Sequence, residues 1–125
     1  MNENEISYKL RGCIFQVFNN LGPGLLESAY EAALFFELQK TGLKVNSQVS
    51  LPMIYQSVTV NVGYRIDILV EDKVIVEIKS VEALLEVHHK QVITYLKLSG
   101  LKLGLLVNFN TADISESIFR KVNRF

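Results

Sequence analysis

Asp67 and Glu77 are the residues whose types and spacing most plainly suggest chemistry in this chain. They flank a charged tip, Glu71-Asp72-Lys73, between two extended runs. Before the tip the apolar positions are even-numbered: Val58, Val60, Val62, Tyr64, Ile66, Ile68 and Val70. After it, Val74 to Val81 extends again. A three-residue loop sets Val70 against Val74, Ile68 against Val76 and Ile66 against Ile78, with every apolar side chain on one face. A two-residue loop would set apolar beside polar, which burial of one face penalises. The favoured register also sets Asp67 against Glu77, and Arg65 against Lys79, on the second face. Like charges opposed across two strands are destabilising. Carboxylates with Cβ atoms roughly 5 Å apart drive one of the pair to take up a proton, unless a cation lies between them. A hard divalent ion resolves the conflict, because Mg²⁺ takes one or two carboxylates and keeps its other positions for water and phosphate. The alternative is that both acids face solvent and pair with Arg65 and Lys79.

The elements around this hairpin follow from periodicity. Ile6, Leu10, Ile14, Val17 and Leu21 recur at helical spacing, so residues 5–20 read as an amphipathic helix. Gly22-Pro23-Gly24 ends it, and a second helix runs over 25–40 to a stop at Gly42. Leu43 to Leu51 alternates apolar and polar, as a half-buried strand does. Helical periodicity returns over 83–99 and ends at Gly100, and the nearly all-apolar 101–109 reads as a strand covered on both faces. A last helix is expected over Ser115 to Arg124. The final core strand, reached through a crossover helix, should lie parallel to an earlier one.

Composition narrows the class. The chain has 125 residues and is 49% apolar and 21% charged, which excludes a disordered linker and leaves room for one domain, 1–125. Thirteen basic and thirteen acidic residues cancel, so no global field announces nucleic acid or a membrane surface, which leaves DNA or RNA binding to a local patch and no membrane partner expected. The single Cys13 excludes an intrachain disulfide and reads as a small buried hydrophobe. The polar, acidic start is unlike a secretory leader, and no apolar run approaches the roughly 20 residues that span a bilayer. A cytoplasmic protein is the expectation.

Three motifs now bear on the carboxylate pair. Asp67 and Glu77-Ile78-Lys79 form the pattern D-x9-E-x-K, and with the helix–strands–helix–strand order this resembles the PD-(D/E)XK nuclease superfamily. Gln91-Val92-Ile93-Thr94-Tyr95 resembles the Q-x-x-x-Y motif of RecB-type members, on the helix after the E-x-K strand. Gly24-Leu25-Leu26-Glu27-Ser28-Ala29-Tyr30 resembles the motif that names the GxxExxY proteins of that superfamily. This likeness runs from Gly22 to Phe109 and departs at Phe109-Asn110-Thr111, where the family pattern has Gly after Asn-Phe. The implied fold is α/β, a mixed sheet flanked by helices: a restriction-endonuclease-like αβββαβ core with an added helix at each end.

The resemblance also implies roles. Asp67, Glu77 and the Ile78 carbonyl would hold Mg²⁺ or Mn²⁺, and Glu27 would add a carboxylate directly or through water. Lys79 would position or activate the attacking water. Gln91 and Tyr95 would line the site and contact substrate, with Arg65 and Tyr30 as further substrate contacts. Some of these have plainer readings. Glu27 lies in the first turn after Gly24, where any acid is favoured by the helix dipole. Gln91 and Tyr95 share a helix face whatever their function, one as a surface residue and the other as a core aromatic. An electrostatic role toward developing phosphorane charge suits Lys79 better than that of free base.

Charge near that helix favours a phosphodiester. No acid lies between Glu86 and Asp113, whereas His88, His89, Lys90, Lys97 and Lys102 do. Lys90 and Lys97 are seven apart and flank the Gln91/Tyr95 stripe; cations beside a metal site suit a phosphate backbone, though they also suit an ordinary solvated face. The adjacent His88 and His89 cannot share one helix face to chelate, and His88 is the one placed to meet a substrate. The expected function is Mg²⁺-dependent hydrolysis of DNA or RNA. The alternatives are a catalytically silent nuclease-fold module that binds nucleic acid or a protein partner, and a small hydrolase acting on a nucleotide. A homodimer would lengthen the basic groove.

Overall fold

The computed structural model describes residues 1–123. It begins with helix α1 (Glu3–Leu21), capped by a reciprocal pair in which Asn2 Oδ1 accepts from the Glu5 N–H and Glu5 Oε1 accepts from the Asn2 N–H. Gly22, at φ 66°, turns the chain away, and α2 (Glu27–Lys40) follows. The sheet comprises β1 (Val45–Tyr55), β2 (Val58–Val70), β3 (Val74–Lys79), β4 (Leu103–Asn108) and β5 (Ile118–Val122), side by side in that order. Helix α3 (Glu86–Ser99) crosses from β3 to β4, which are parallel, while the other neighbours are antiparallel. This is the mixed sheet flanked by helices that the sequence implies.

Two apolar layers sandwich the sheet. On one side α1 and α2 bring Ile6, Leu10, Ile14, Val17, Leu34 and Leu38 onto Ile68, Val70, Val74, Val76 and Ile78. On the other, Val92, Tyr95 and Leu96 of α3 pack on Leu51, Ile66, Ile75 and Leu106. Cys13 is a buried free thiol in the first layer, and that apolar setting pushes its pKa up. No described helix is long and apolar enough to cross a membrane.

The three-residue loop at Glu71–Lys73 is present, and β2 meets β3 at Ile68–Val76, Leu69–Ile75 and Val70–Val74. The ladder stops there, so the expected pairs Ile66–Ile78 and Arg65–Lys79 do not form; Arg65 pairs instead with Ser50 of β1. The expectation of one continuous apolar face also fails. Ile68 belongs to the α1/α2 layer and Ile66 to the α3 layer. Likewise Val45 packs on the first layer and Val49 on the second. Both strands change faces where Gln48 stands opposite Asp67, and Gln48 has a left-handed φ of 51°. Strict alternation cannot survive such a residue.

The C-terminal segment corrects another expectation. In place of a helix over Ser115–Arg124, a short 3-10 turn (Ile114–Glu116) leads into β5; Arg124 lies outside the described residues. All six β4 residues are buried, and without β5 that strand would be an open edge. Ile118, Phe119 and Val122 are good strand formers, and satisfying the backbone of β4 outweighs their loose helical spacing.

Candidate active site

The two strands part beyond Ile68–Val76, and Asp67 and Glu77 fill the fork. Asp67 Oδ2 accepts from the Ile78 N–H at 2.9 Å, and Glu77 Oε2 accepts from the Asp67 N–H at 2.8 Å. Each carboxylate therefore reaches across to the main chain of the opposite strand, replacing ladder bonds that the face change removes. Alternation along β3 fixes the surroundings. The Lys79 carbonyl is taken by the Phe109 N–H, next to β4, whereas the Ile78 N–H faces β2. In an extended strand the Ile78 carbonyl shares the direction of its own N–H, so it too is aimed at the fork.

Glu77 is 2% exposed. Burial, and then the Asp67 charge, push its pKa up to about 9, with Lys79 pulling the other way. Glu77 is thus protonated at neutral pH when nothing else neutralises the pair. The alternative, pairing of the acids with Arg65 and Lys79, is not taken: neither makes an ion pair among the described residues, and Arg65 is exposed.

Helix α3 closes the site from its own side. Tyr95 is buried, and its hydroxyl accepts from Gln91 Nε2 at 3.0 Å and is reached by the backbone of Arg65. Burial and the nearby Glu77 charge raise its pKa. Tyr64 leans on the Tyr95 ring with centroids 5.6 Å apart. Gln91 and Tyr95 therefore stand beside the carboxylates as a linked pair. Lys90 pairs with Glu86 at 3.5 Å on the surface, and Lys97 is exposed. His88 caps its own helix, Nδ1 accepting from the Leu85 N–H at 3.0 Å. His89 lies edge-on to Phe119, and burial lowers its pKa.

Helix α2 contributes differently from expectation. Glu27 is exposed and has no hydrogen bond or ion pair to Asp67 or Glu77 among the described residues. Its turn is nonetheless tied to the site, because Ser80 Oγ donates to the Leu25 carbonyl at 2.6 Å. Tyr30 has no exposed surface, so it cannot touch a substrate in this conformation. Its hydroxyl donates to the Gly22 carbonyl and accepts from the Leu25 N–H, and its ring stacks on Phe109 at 4.4 Å. It anchors the loop that starts α2.

Three site residues have no motif to announce them. Glu31, one turn after Glu27, is linked to Asp67 through Gln48, whose Nε2 lies 2.8 Å from Glu31 Oε1 and 3.4 Å from Asp67 Oδ1. Burial and then the Asp67 charge raise the pKa of Glu31. An i,i+4 repetition of Glu on one helix face was the available signal. Asn108, buried at the end of β4, holds both the N–H and the carbonyl of Val81, fixing the chain just beyond Lys79.

The donor set suits a hard divalent ion. The fork offers carboxylate and carbonyl oxygen, and a shared dication would remove the repulsion that protonates Glu77. No group of three His, Cys, Asp or Glu side chains converges as a ready-made cage among the described residues. Two carboxylates leave positions open for water and phosphate, as a hard divalent ion that is not fully caged requires.

A mixed sheet flanked by helices, with an acidic fork on two strands and a lysine two residues on, defines a restriction-endonuclease-like domain. The sequence model of the PD-(D/E)XK nuclease superfamily matches residues 4–122, and the chain belongs to that superfamily. No curated protein and no solved structure matches it.

Proposed function

We propose that this protein is a divalent-metal-dependent nuclease that hydrolyses phosphodiester bonds in DNA or RNA. Membership of the nuclease superfamily supports this reading, and the mutual capture of Asp67 and Glu77 carries it. Asp67, Glu77 and the Ile78 carbonyl would hold Mg²⁺ or Mn²⁺, with Glu27 adding a carboxylate directly or through water. When bound, such an ion supplies Lewis acidity and lowers the pKa of water at neutral pH. Lys79, on the same strand, offsets charge developing on phosphorus. Gln91 and Tyr95 orient the phosphate from α3, and Lys90, Lys97 and Arg65 supply cations to the backbone. The narrower likeness to GxxExxY proteins rests on Gly24, Glu27 and Tyr30. Two copies of the chain would present a longer basic groove.

The test is incubation with labelled DNA and RNA in Mg²⁺ or Mn²⁺. Cleavage that disappears in Glu77→Gln is the expected result; cleavage that survives it, or none of any nucleic acid, rejects the proposal. The exposed position of Glu27 favours one second reading, a nuclease-fold module that binds without cutting. Calorimetry separates the two, since that module shows no metal binding sensitive to Asp67→Asn.

A further inference from the structure

Gln48 is the least expected residue near the fork. It sits inside a strand at φ 51°, a conformation that L side chains rarely adopt and that Gly or Asn would accept more readily. Both β1 and β2 change faces at this point, and the change turns Asp67 toward β3. The side chain of Gln48 explains why a glutamine stands there. Its Nε2 carries two hydrogens and lies between two carboxylates, 2.8 Å from Glu31 Oε1 and 3.4 Å from Asp67 Oδ1. The shorter bond, to Glu31 on α2, fixes the amide. The longer one then sets the free oxygen of Asp67, whose other oxygen is already held by the Ile78 N–H.

We propose that Gln48, braced by Glu31, is a positioning residue that orients the Asp67 carboxylate toward a divalent ion. This rests on the nuclease reading above. The arrangement is an outer shell: an acid on a helix orients an amide on an edge strand, and the amide orients a metal-binding acid on the next. Loss of such partners typically costs about 10–100-fold in metal affinity or activity. Glu31 acts through Gln48 here and is a brace rather than a ligand.

The experiment is Mn²⁺ titration by calorimetry on the full chain, with thermal unfolding of each protein in parallel. Gln48→Gly suits the backbone angle but lacks the amide, so it should hold its thermal midpoint and bind Mn²⁺ about 10-fold or more weakly. Gln48→Asn tolerates the same backbone, is one methylene short, and should lose affinity likewise. Glu31→Ala should give a similar loss, and the double variant Glu31→Ala with Gln48→Gly should be no weaker than either alone, because both remove one device. Wild-type affinity in Gln48→Gly or Gln48→Asn, or single losses that multiply in the double variant, overturns the inference while Asp67→Asn still abolishes binding. A wild-type protein that binds no Mn²⁺ overturns the nuclease reading itself, and this inference with it.

Discussion

Asp67 and Glu77 hold each other's strands apart and together at once: each carboxylate accepts from a backbone N–H on the opposite strand, at 2.9 and 2.8 Å. The price of this geometry is a buried acid beside another acid. It makes the protein, with no cation between the two acids, sensitive to pH in a defined direction. The pKa of Glu77 is raised to about 9 when folded, from an ordinary 4.5 when unfolded. Between those values the folded state holds a proton that the unfolded chain has released, so stability is fully present below the lower pKa and falls as pH rises toward the upper one. The slope is at most about 1.4 kcal/mol per pH unit. In EDTA, urea midpoints should decline from pH 5 to pH 9 for the wild type and flatten for Glu77→Gln. Unchanged slopes in that variant would remove the coupling from the account.

Much of this site was legible because a loop length and a two-residue period fix which residues oppose each other. The register at Val70–Val74 and Ile68–Val76 follows from the apolar pattern, and with it the meeting of Asp67 and Glu77. What the pattern could not carry is the face change between Ile66 and Ile68. Both are apolar and even-numbered, and both are buried, so alternation looks unbroken in the sequence. The signal is a backbone angle at Gln48, a residue type with no special liking for it. Glu31 was hidden for a related reason, since its link to Asp67 passes through that same glutamine. At the C-terminus, Ile118, Phe119 and Val122 suit a helix loosely and a strand well. Only the open edge of β4 decides between them.

Tyr95 offers a test of whether α3 serves the site or merely covers it. Its ring is core, packed with Val92 and Leu96, while its hydroxyl is held by Gln91 Nε2 at 3.0 Å beside Glu77. Tyr95→Phe keeps the packing and deletes that hydroxyl. Cleavage should fall about 10-fold, equivalent to about 1.4 kcal/mol in the transition state, with a melting temperature within a few degrees of wild type. A large loss of stability with unchanged single-turnover rate would assign the hydroxyl to folding alone.

Gly104 determines how closely α3 can approach the sheet. A Cβ at this position would stand 2.8 Å from Val92 Cγ1, closer than real contacts allow, and Val92 belongs to the helix that carries Gln91 and Tyr95. Gly104→Ala should destabilise by about 1–3 kcal/mol through overpacking, measured by urea unfolding. Val92→Ala in the same chain opens space against the new methyl and should recover part of that loss. If the double variant is less stable than the sum of the single changes, the clash is not the cause.

Tyr30 makes the opposite case, a motif residue whose position is structural. Its hydroxyl bridges the Gly22 carbonyl and the Leu25 N–H, and its ring stacks on Phe109. Tyr30→Phe should cost about 1–3 kcal/mol, the penalty for leaving partly buried polar groups unpaired. Because the ring still fills its place, nucleic-acid affinity should stay at the wild-type level in a filter-binding assay, whereas a residue in contact with substrate would lower it.

Lys90 and Lys97 offer a test of the proposed nucleic-acid substrate. Both are exposed on α3, and the only partner of Lys90 among the described residues is the equally exposed Glu86 at 3.5 Å, a pair that contributes little in water. If they meet phosphates, replacing both with Ala removes counterion release along with affinity. The slope of log affinity against log salt on duplex DNA should become shallower by about 0.9 for each phosphate no longer neutralised. Affinity should drop across all sequences alike, because interactions with the backbone carry no base information. Mn²⁺ binding measured without nucleic acid should be unaffected, which separates this surface from the carboxylate fork. A double variant with an unchanged salt slope would place the polymer on another face, and Arg65, exposed at the mouth beside Tyr64, is the next cation to replace.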